Sequence, residues 1–112
     1  MPRKRKINVH IVGAGEIGYA LASQLSQDGC SVTVIDTDAA VVGSVSNALD
    51  VFSFQGNGAS YATLQEVGSG ESDIFIAVTD SDERNILACL SAHLMGAKHT
   101  IARIRDVDYS RQ

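Results

Sequence analysis

Three glycines and one acid carry the most chemistry in this sequence. Gly13, Gly15 and Gly18 stand in Val12-Gly13-Ala14-Gly15-Glu16-Ile17-Gly18, between an apolar run from Ile7 to Val12 and an amphipathic stretch. Asp36 follows eighteen residues after Gly18, at the end of a second apolar run, Ser31-Val32-Thr33-Val34-Ile35. Such a set can hold a diphosphate and a ribose. The first glycine permits a tight strand-to-helix turn, the second lets the backbone approach a pyrophosphate, and the third lets the helix pack closely on its strand. The phosphates would sit on free N–H groups at the positive end of the helix. The same glycines also occur in strand–turn–helix units that bind nothing. The strand before, the helix after and the acid at this distance favour the dinucleotide reading.

Two acids narrow the ligand. Asp36 can accept from both hydroxyls of an adenosine ribose and would repel a 2′-phosphate, which disfavours NADP. Its competing role is to cap the following helix, a task Asp38 can perform as well. Glu16, in the first turn of the helix, competes with phosphate for the positive end and would be unfavourable beside a γ-phosphate. This tilts the expectation from ATP toward NAD(H). Arg103 and Arg105 either supply a fork for phosphate or for a partner's carboxylate, or are surface residues on an edge strand. His10 lies in the middle of the first apolar run, where a buried imidazole needs a hydrogen-bond partner or stays neutral. No nucleophile with its base and no pair of converging carboxylates is found, so the sequence points to a binding and sensing domain rather than an enzyme.

The elements that must position these residues alternate strictly. Strands are expected at Ile7–Val12, Ser31–Ile35, Val51–Phe54, Asp73–Val78 and Thr100–Ile104. Helices are expected at about Glu16–Asp28, at Asp38–Ala48, over a short stretch with Tyr61, Leu64 and Val67, and from near Asp82 to Gly96. The last carries Ile86, Leu87, Leu90 and Leu94, with Asp80 and Glu83 as a capping box. Alternation predicts an α/β, Rossmann-like, doubly wound parallel sheet of order 3-2-1-4-5, with helices on both faces. Ligands of such sheets sit outside the carboxyl ends of the strands where the order reverses. That gathers Gly13–Gly18, Asp36-Thr37-Asp38, Gln55-Gly56-Asn57-Gly58 and Val78-Thr79-Asp80.

Composition sets limits. At 112 residues, 45% hydrophobic and 20% charged, the chain reads as one globular domain. No apolar run approaches the roughly 20 residues of a membrane span, and the basic N-terminus lacks a signal-peptide h-region. Arg3, Lys4, Arg5 and Lys6 form a basic tail over residues 1–6, expected to be disordered and solvated, with anionic lipid or RNA as the competing contact. Without those four the net charge moves from −4 to −8, so the folded part is acidic and unsuited to nucleic acid. Cys30 and Cys89 form no CxxC and read as reduced, buried thiols of a cytosolic protein. The three histidines lack metal-site spacing.

Five segments occur in an order that resembles one family: Gly13-Ala14-Gly15-Glu16-Ile17-Gly18, Ile35-Asp36-Thr37-Asp38, Gly56-Asn57-Gly58-Ala59-Ser60, Ala77-Val78-Thr79-Asp80-Ser81-Asp82-Glu83-Arg84-Asn85 and Ala102-Arg103-Ile104-Arg105. From about Ile7 to Tyr109 the chain is similar to the N-terminal nucleotide-binding domain of TrkA-type (RCK or KTN) regulators of bacterial potassium uptake. A generic dinucleotide-binding domain carries neither of the last two runs. The resemblance implies an NAD-binding domain over residues 7–112, lacking the family's crossing helix and second regulatory domain. It implies a cytoplasmic regulator, peripheral to the inner face of the cell membrane. That regulator would bind NAD(H), or ADP/ATP as in some relatives, and gate a membrane-embedded potassium transporter or channel. It further implies a homo-oligomer in which dimers build toward a ring. In its terms Gly13, Ala14, Gly15, Glu16, Ile17 and Gly18 form the phosphate turn, and Asp36, Thr37 and Asp38 the ribose side. Asn57, Gly58 and Ala59 line the adenine side, and Thr79 and Asp80 the strand-4 mouth. Arg103 and Arg105 make a phosphate or inter-subunit contact. Relatives that bind ATP often carry Arg where Glu16 stands, which again favours NAD(H). The competing readings are a fragment of an NAD-dependent oxidoreductase and an oligomerisation module that binds nothing.

Overall fold

Runs of β-branched residues broken by amphipathic stretches fold into alternating strands and helices. A computed structural model describes residues 5–106 and residue 108. In chain order these are β1 (Asn8–Val12), α1 (Glu16–Gln27), β2 (Ser31–Asp36), α2 (Ala39–Ala48), β3 (Phe52–Gln55), α3 (Tyr61–Glu66), a 3₁₀ turn (Ser69–Glu71), β4 (Ile74–Ala77), α4 (Asp82–Met95) and β5 (His99–Ala102). All strand pairs are parallel and the order is β3-β2-β1-β4-β5, as expected. Of the basic tail, residues 1–4 lie outside the described residues, as does Tyr109 at the far end of the family resemblance.

Each strand sends alternate side chains to opposite faces, and this builds two cores. Val9, Ile11, Val32, Val34 and Ile76 meet Ala22 of α1 and Val45 of α2 on one face. Val12, Ile35, Phe75 and Ala77 meet Leu64 of α3 and Ala88, Cys89 and Ala92 of α4 on the other. β1 is the axis of both, with Val9 opposite Val32 and Ile74, and Val12 opposite Ile35 and Ala77.

His10 also sits on β1 and is 3% exposed. Its Nδ1 lies 2.9 Å from Ser69 Oγ in the 3₁₀ turn, the partner a buried imidazole requires. Burial pushes its pKa down to about 4. Cys89 is buried and free, its thiol pushed up to about 11 by burial, while Cys30 is only half-buried. At the amino ends of the strands Asp73 gathers the termini of three segments. Both its oxygens accept from Arg5 at 3.0 Å, it accepts from Asn8 N at 2.8 Å, and Lys98 Nζ lies 3.3 Å away. The Arg5 guanidinium, with the Asn8 amide behind it, holds the Asp73 carboxyl well below the usual range.

Helix α4 keeps its largest apolar side chains on the outside. The stripe of Ile86, Leu87, Leu90 and Leu94 faces solvent, from 38% exposed at Ile86 to 73% at Leu94. The face turned inward is Asn85, Ala88, Cys89 and Ala92. Small side chains let α4 lie close to the sheet, where larger ones would not fit. Its N-cap is Ser81, whose Oγ accepts from Arg84 N at 3.2 Å, in place of the expected Asp80–Glu83 box. β5 ends at Ala102, so Arg103 and Arg105 follow the strand rather than lying within it.

Candidate functional site

The parallel ladders run one residue past the strands and so fix the loops at their carboxyl ends. Gly13 N donates to Ile35 O at 2.8 Å, Gly56 N to Asp36 O at 2.9 Å, Val78 N to Val12 O at 2.9 Å and Arg103 N to Ala77 O at 2.9 Å. Between these loops lies an open cleft of about 450 Å³.

The glycine turn forms its floor. Gly13 has φ +100°, and a Cβ there would come within 3.1 Å of Val78 O, so only glycine fits both the turn and the contact. A Cβ on Gly18 would fall 1.8 Å from Gly13 O, which explains how α1 seats directly on the turn. A Cβ on Gly15 would meet no atom within 4 Å. Its space is open, on the cleft side, where a close-approaching group would need it. Gly15 is the N-cap of α1 with no side-chain cap, so the first N–H groups of α1 remain available to an anion.

Asp36 ties two loops together. One oxygen accepts from Ala14 N at 2.8 Å and the other from Asp38 N at 2.9 Å. The sequence reading left this carboxylate free; instead each oxygen already holds one backbone N–H and keeps further acceptor capacity for an incoming hydroxyl. Asp38 is the cap of α2, accepting from Ala40 N at 2.9 Å. Asn57 closes its own loop by accepting from Ala59 N at 2.9 Å. Gly58 rests on Val12, where a Cβ would come within 2.2 Å of Cγ1.

Gly13, Gly15, Glu16, Ile17, Asp36, Thr37, Asp38, Asn57, Gly58, Ala59, Thr79, Asp80 and Arg103 all line the cleft. Ala14 and Gly18 do not. Ala14 contributes its amide to Asp36 and Gly18 its lack of a side chain to helix packing. Arg105 lies outside: its guanidinium donates to Asp80 O, and Asp82 accepts from the amides of Arg105 and Asp106 at 3.1 and 2.8 Å. Those two amides hold the Asp82 carboxyl below its ordinary range. Sequence reasoning assigns no individual role to Arg84, Val41 or Asn85, yet Arg84 and Val41 line the cleft. Arg84 had one readable signal, a cation in the first turn of the helix after β4. Asn85 shows itself only as a polar residue in register with Ala88, Cys89 and Ala92.

Charge is divided along the cleft. The β2–β3 side carries Asp36 and Asp38, and the β4–β5 side carries Arg84 and Arg103 with Asp80 between them. The amino end of α1, with Glu16 in its first turn, stands in the middle. This arrangement suits a ligand with hydroxyls at one end and phosphate near the centre.

The sequence model of the TrkA-N domain family matches residues 9–112. A Trk system potassium uptake protein TrkA homolog of Archaeoglobus fulgidus is 39% identical over 103 residues, covering 92% of this chain and 23% of that protein. A homolog from Methanothermobacter thermautotrophicus is 34% identical, covering 90% of the chain and 47% of its own length. The chain thus spans a quarter to a half of these relatives. Among solved structures, the NAD(P)-binding domain of an exopolyphosphatase-related protein from Archaeoglobus fulgidus superposes with a TM-score of 0.81 at 12% identity, covering 96% of this chain and 79% of that one. The AMP-bound C-terminal domain of Kef from Shewanella denitrificans superposes with a TM-score of 0.69 at 20% identity, covering 84% of this chain and 56% of that one. At such identities the two structures speak to fold. With 104 of 112 residues matched by one model and relatives above 30% identity across nine-tenths of its length, this chain belongs to the TrkA-N domain family.

Proposed function

We propose that this domain is the nucleotide sensor of a potassium uptake regulator, binding NAD(H) in the cleft at the carboxyl ends of β1, β2 and β4. The observation that carries the reading is the joining of Gly13–Gly15 to Asp36 across one open cleft. The pyrophosphate sits on the free amides of α1, the adenosine ribose on Asp36, and the adenine beside Asn57, Gly58 and Ala59. Asp36 repels a 2′-phosphate, and Glu16 repels a third phosphate, so NAD(H) is preferred over NADPH and over ATP, with ADP/ATP as the secondary ligands. No catalytic role is assigned; ligand binding shifts the balance between conformations by as much as its affinities for them differ. The regulated partner is a membrane-embedded potassium transporter or channel, a reading supported by relatives named as Trk system potassium uptake proteins, and the site of action is the cytoplasmic side of the membrane. Among the described residues no helix is long and apolar enough to cross a membrane. Assembly as a homo-oligomer is supported by the exposed leucines of α4.

Thermal unfolding with added nucleotides tests the reading. NADH at 100 times its Kd adds about 2.7 kcal/mol, a melting shift on the order of 10 °C for a domain of this size. NAD⁺ should also shift the transition, ATP less, and NADPH least. A larger shift with NADPH than with NADH would overturn the assignment of Asp36. Potassium flux through the complete regulator and its transporter, measured with and without nucleotide, tests the physiological half; identical flux in all conditions would refute it.

A further inference from the structure

Asn85 is fully buried at 0% exposure and does not line the cleft, yet every hydrogen-bonding site of its amide is used on residues that do. Its Oδ1 accepts from Thr79 N at 2.9 Å and from Thr79 Oγ1 at 2.6 Å. Its Nδ2 donates to Thr79 O at 3.1 Å and to Arg103 O at 2.9 Å. A side-chain amide offers two donors and one oxygen with two lone pairs, and here all four go to Thr79 and Arg103. These two residues belong to neighbouring loops, after β4 and after β5, which are also joined by Arg103 N to Ala77 O and, farther out, by the Arg105 guanidinium to Asp80 O and by Asp82 to the Arg105 and Asp106 amides. Asn85 is the buried side chain that ties Thr79 to Arg103 within the β4–β5 wall of the cleft. The Asp36 wall is set separately, by the bonds of Asp36 to Ala14 and Asp38.

We infer that Asn85 is a positioning residue for the distal half of the bound dinucleotide: it holds Thr79 and Arg103 where the part of the ligand beyond the pyrophosphate lies, while the adenosine half depends on Asp36 and the glycine turn. The inference rests on the nucleotide-binding reading above. In a sheet of order 3-2-1-4-5, a ligand whose ribose sits at the end of β2 and whose phosphates sit at the end of β1 extends next over β4 and β5. Thr79, Asp80, Arg84 and Arg103 are the residues found there. Asp at position 85 would keep the acceptor for Thr79 N but turn a donor into an acceptor facing the carbonyls of Thr79 and Arg103. That would push the two loops apart and leave the Asp36 wall untouched. A residue that served stability alone would affect the two halves of the ligand equally.

Calorimetric titration of the chain with NADH and with AMP, which carries only the adenosine half and one phosphate, separates the possibilities. Wild type should bind NADH more tightly than AMP. Asn85→Asp should weaken NADH about tenfold or more, the effect of losing two buried donor bonds, and AMP less than about twofold. Thr79→Val removes the hydroxyl's bonds to Asn85 Oδ1 and to the Ser81 backbone and should weaken NADH about threefold with AMP unchanged. If Asn85→Asp does not fold, Asn85→Ser, a smaller change at a residue that does not line the cleft, is read by the same NADH-to-AMP ratio. Equal losses for both ligands, or unchanged NADH affinity, would overturn the positioning role. Equal wild-type affinity for NADH and AMP would overturn it alone, whereas no binding of either ligand to wild type would overturn the nucleotide reading beneath it.

Discussion

Gly15 and Gly18 are three residues apart, yet an added methyl group means opposite things at the two positions. At Gly18 it would strike Gly13 O at 1.8 Å, while at Gly15 it would reach no atom within 4 Å. Gly18→Ala should destabilise the domain by about 3 kcal/mol in urea unfolding, because overpacking against backbone outweighs the roughly 1 kcal/mol gain in helix propensity. Gly15→Ala should stay within about 1 kcal/mol of wild type and lose the NADH-induced melting shift, since the methyl fills the phosphate's approach. Loss of stability at Gly15 with retained binding would contradict the site. Asp36→Ala should shrink the NADH shift and narrow its margin over NADPH. His10 yields a prediction of a different kind. Its folded pKa of about 4 lies below the ordinary 6.5, so between these values the unfolded chain binds the proton and the folded one does not. Stability from this group is complete above about pH 6.5 and falls as pH drops toward 4. Unfolding at pH 5 and pH 7 should differ by about 2 kcal/mol more in wild type than in His10→Gln. Equal differences would mean that His10 is not held neutral.

At the scale of elements, the sequence is most legible where short apolar runs alternate with helical stretches bounded by glycine turns. The β-branched runs of β1 and β2, the glycine turn and the strict alternation were enough to specify strand order, because the doubly wound rule then leaves one topology. α4 cannot be oriented from its pattern, because both of its faces are apolar. Ile86, Leu87, Leu90 and Leu94 outweigh Ala88, Cys89 and Ala92 in size, yet it is the smaller set that faces the sheet. What decides is the distance between helix and sheet, which admits small side chains, and no local pattern encodes that distance. The same contact hid Asn85, whose importance lies in carbonyls of two loops far apart in sequence. Arg103 and Arg105 were expected in one strand and are separated because Asp82 takes the Arg105 and Asp106 amides at the mouth of α4. The lining of the cleft, by contrast, was almost wholly legible, since it follows from which loops a parallel sheet brings to its carboxyl edge.

The molecule as a whole has two ends that do different work. At the amino ends of the strands, Asp73 clamps Arg5, Asn8 and Lys98. Its depressed pKa means that the clamp's contribution to stability is complete above the ordinary carboxylate value near pH 3.8 and declines as pH falls from there toward the lower value of the folded state. Along its side the molecule presents the leucine stripe of α4, with Leu87 and Leu90 each 52% exposed. Exposed apolar surface of this kind is where the proposed homo-oligomer would make its contact. Sedimentation velocity should show self-association of the chain that Leu90→Glu abolishes, with monomer stability changed by less than about 0.5 kcal/mol. A wild-type chain that stays monomeric at high concentration would show that this face does not serve homo-oligomer assembly in the isolated domain. The carboxyl end holds the cleft, and there the bonds of Asp36 to Ala14 and Asp38 have a kinetic consequence. On the proposed nucleotide reading the Asp36 side of the seat is already assembled, so on that side no loop would have to fold around the ligand. Capture should then be a single collision-controlled step, with an observed rate that rises linearly with NADH and reaches no plateau, and the sensor's response time would be set by how quickly the nucleotide leaves.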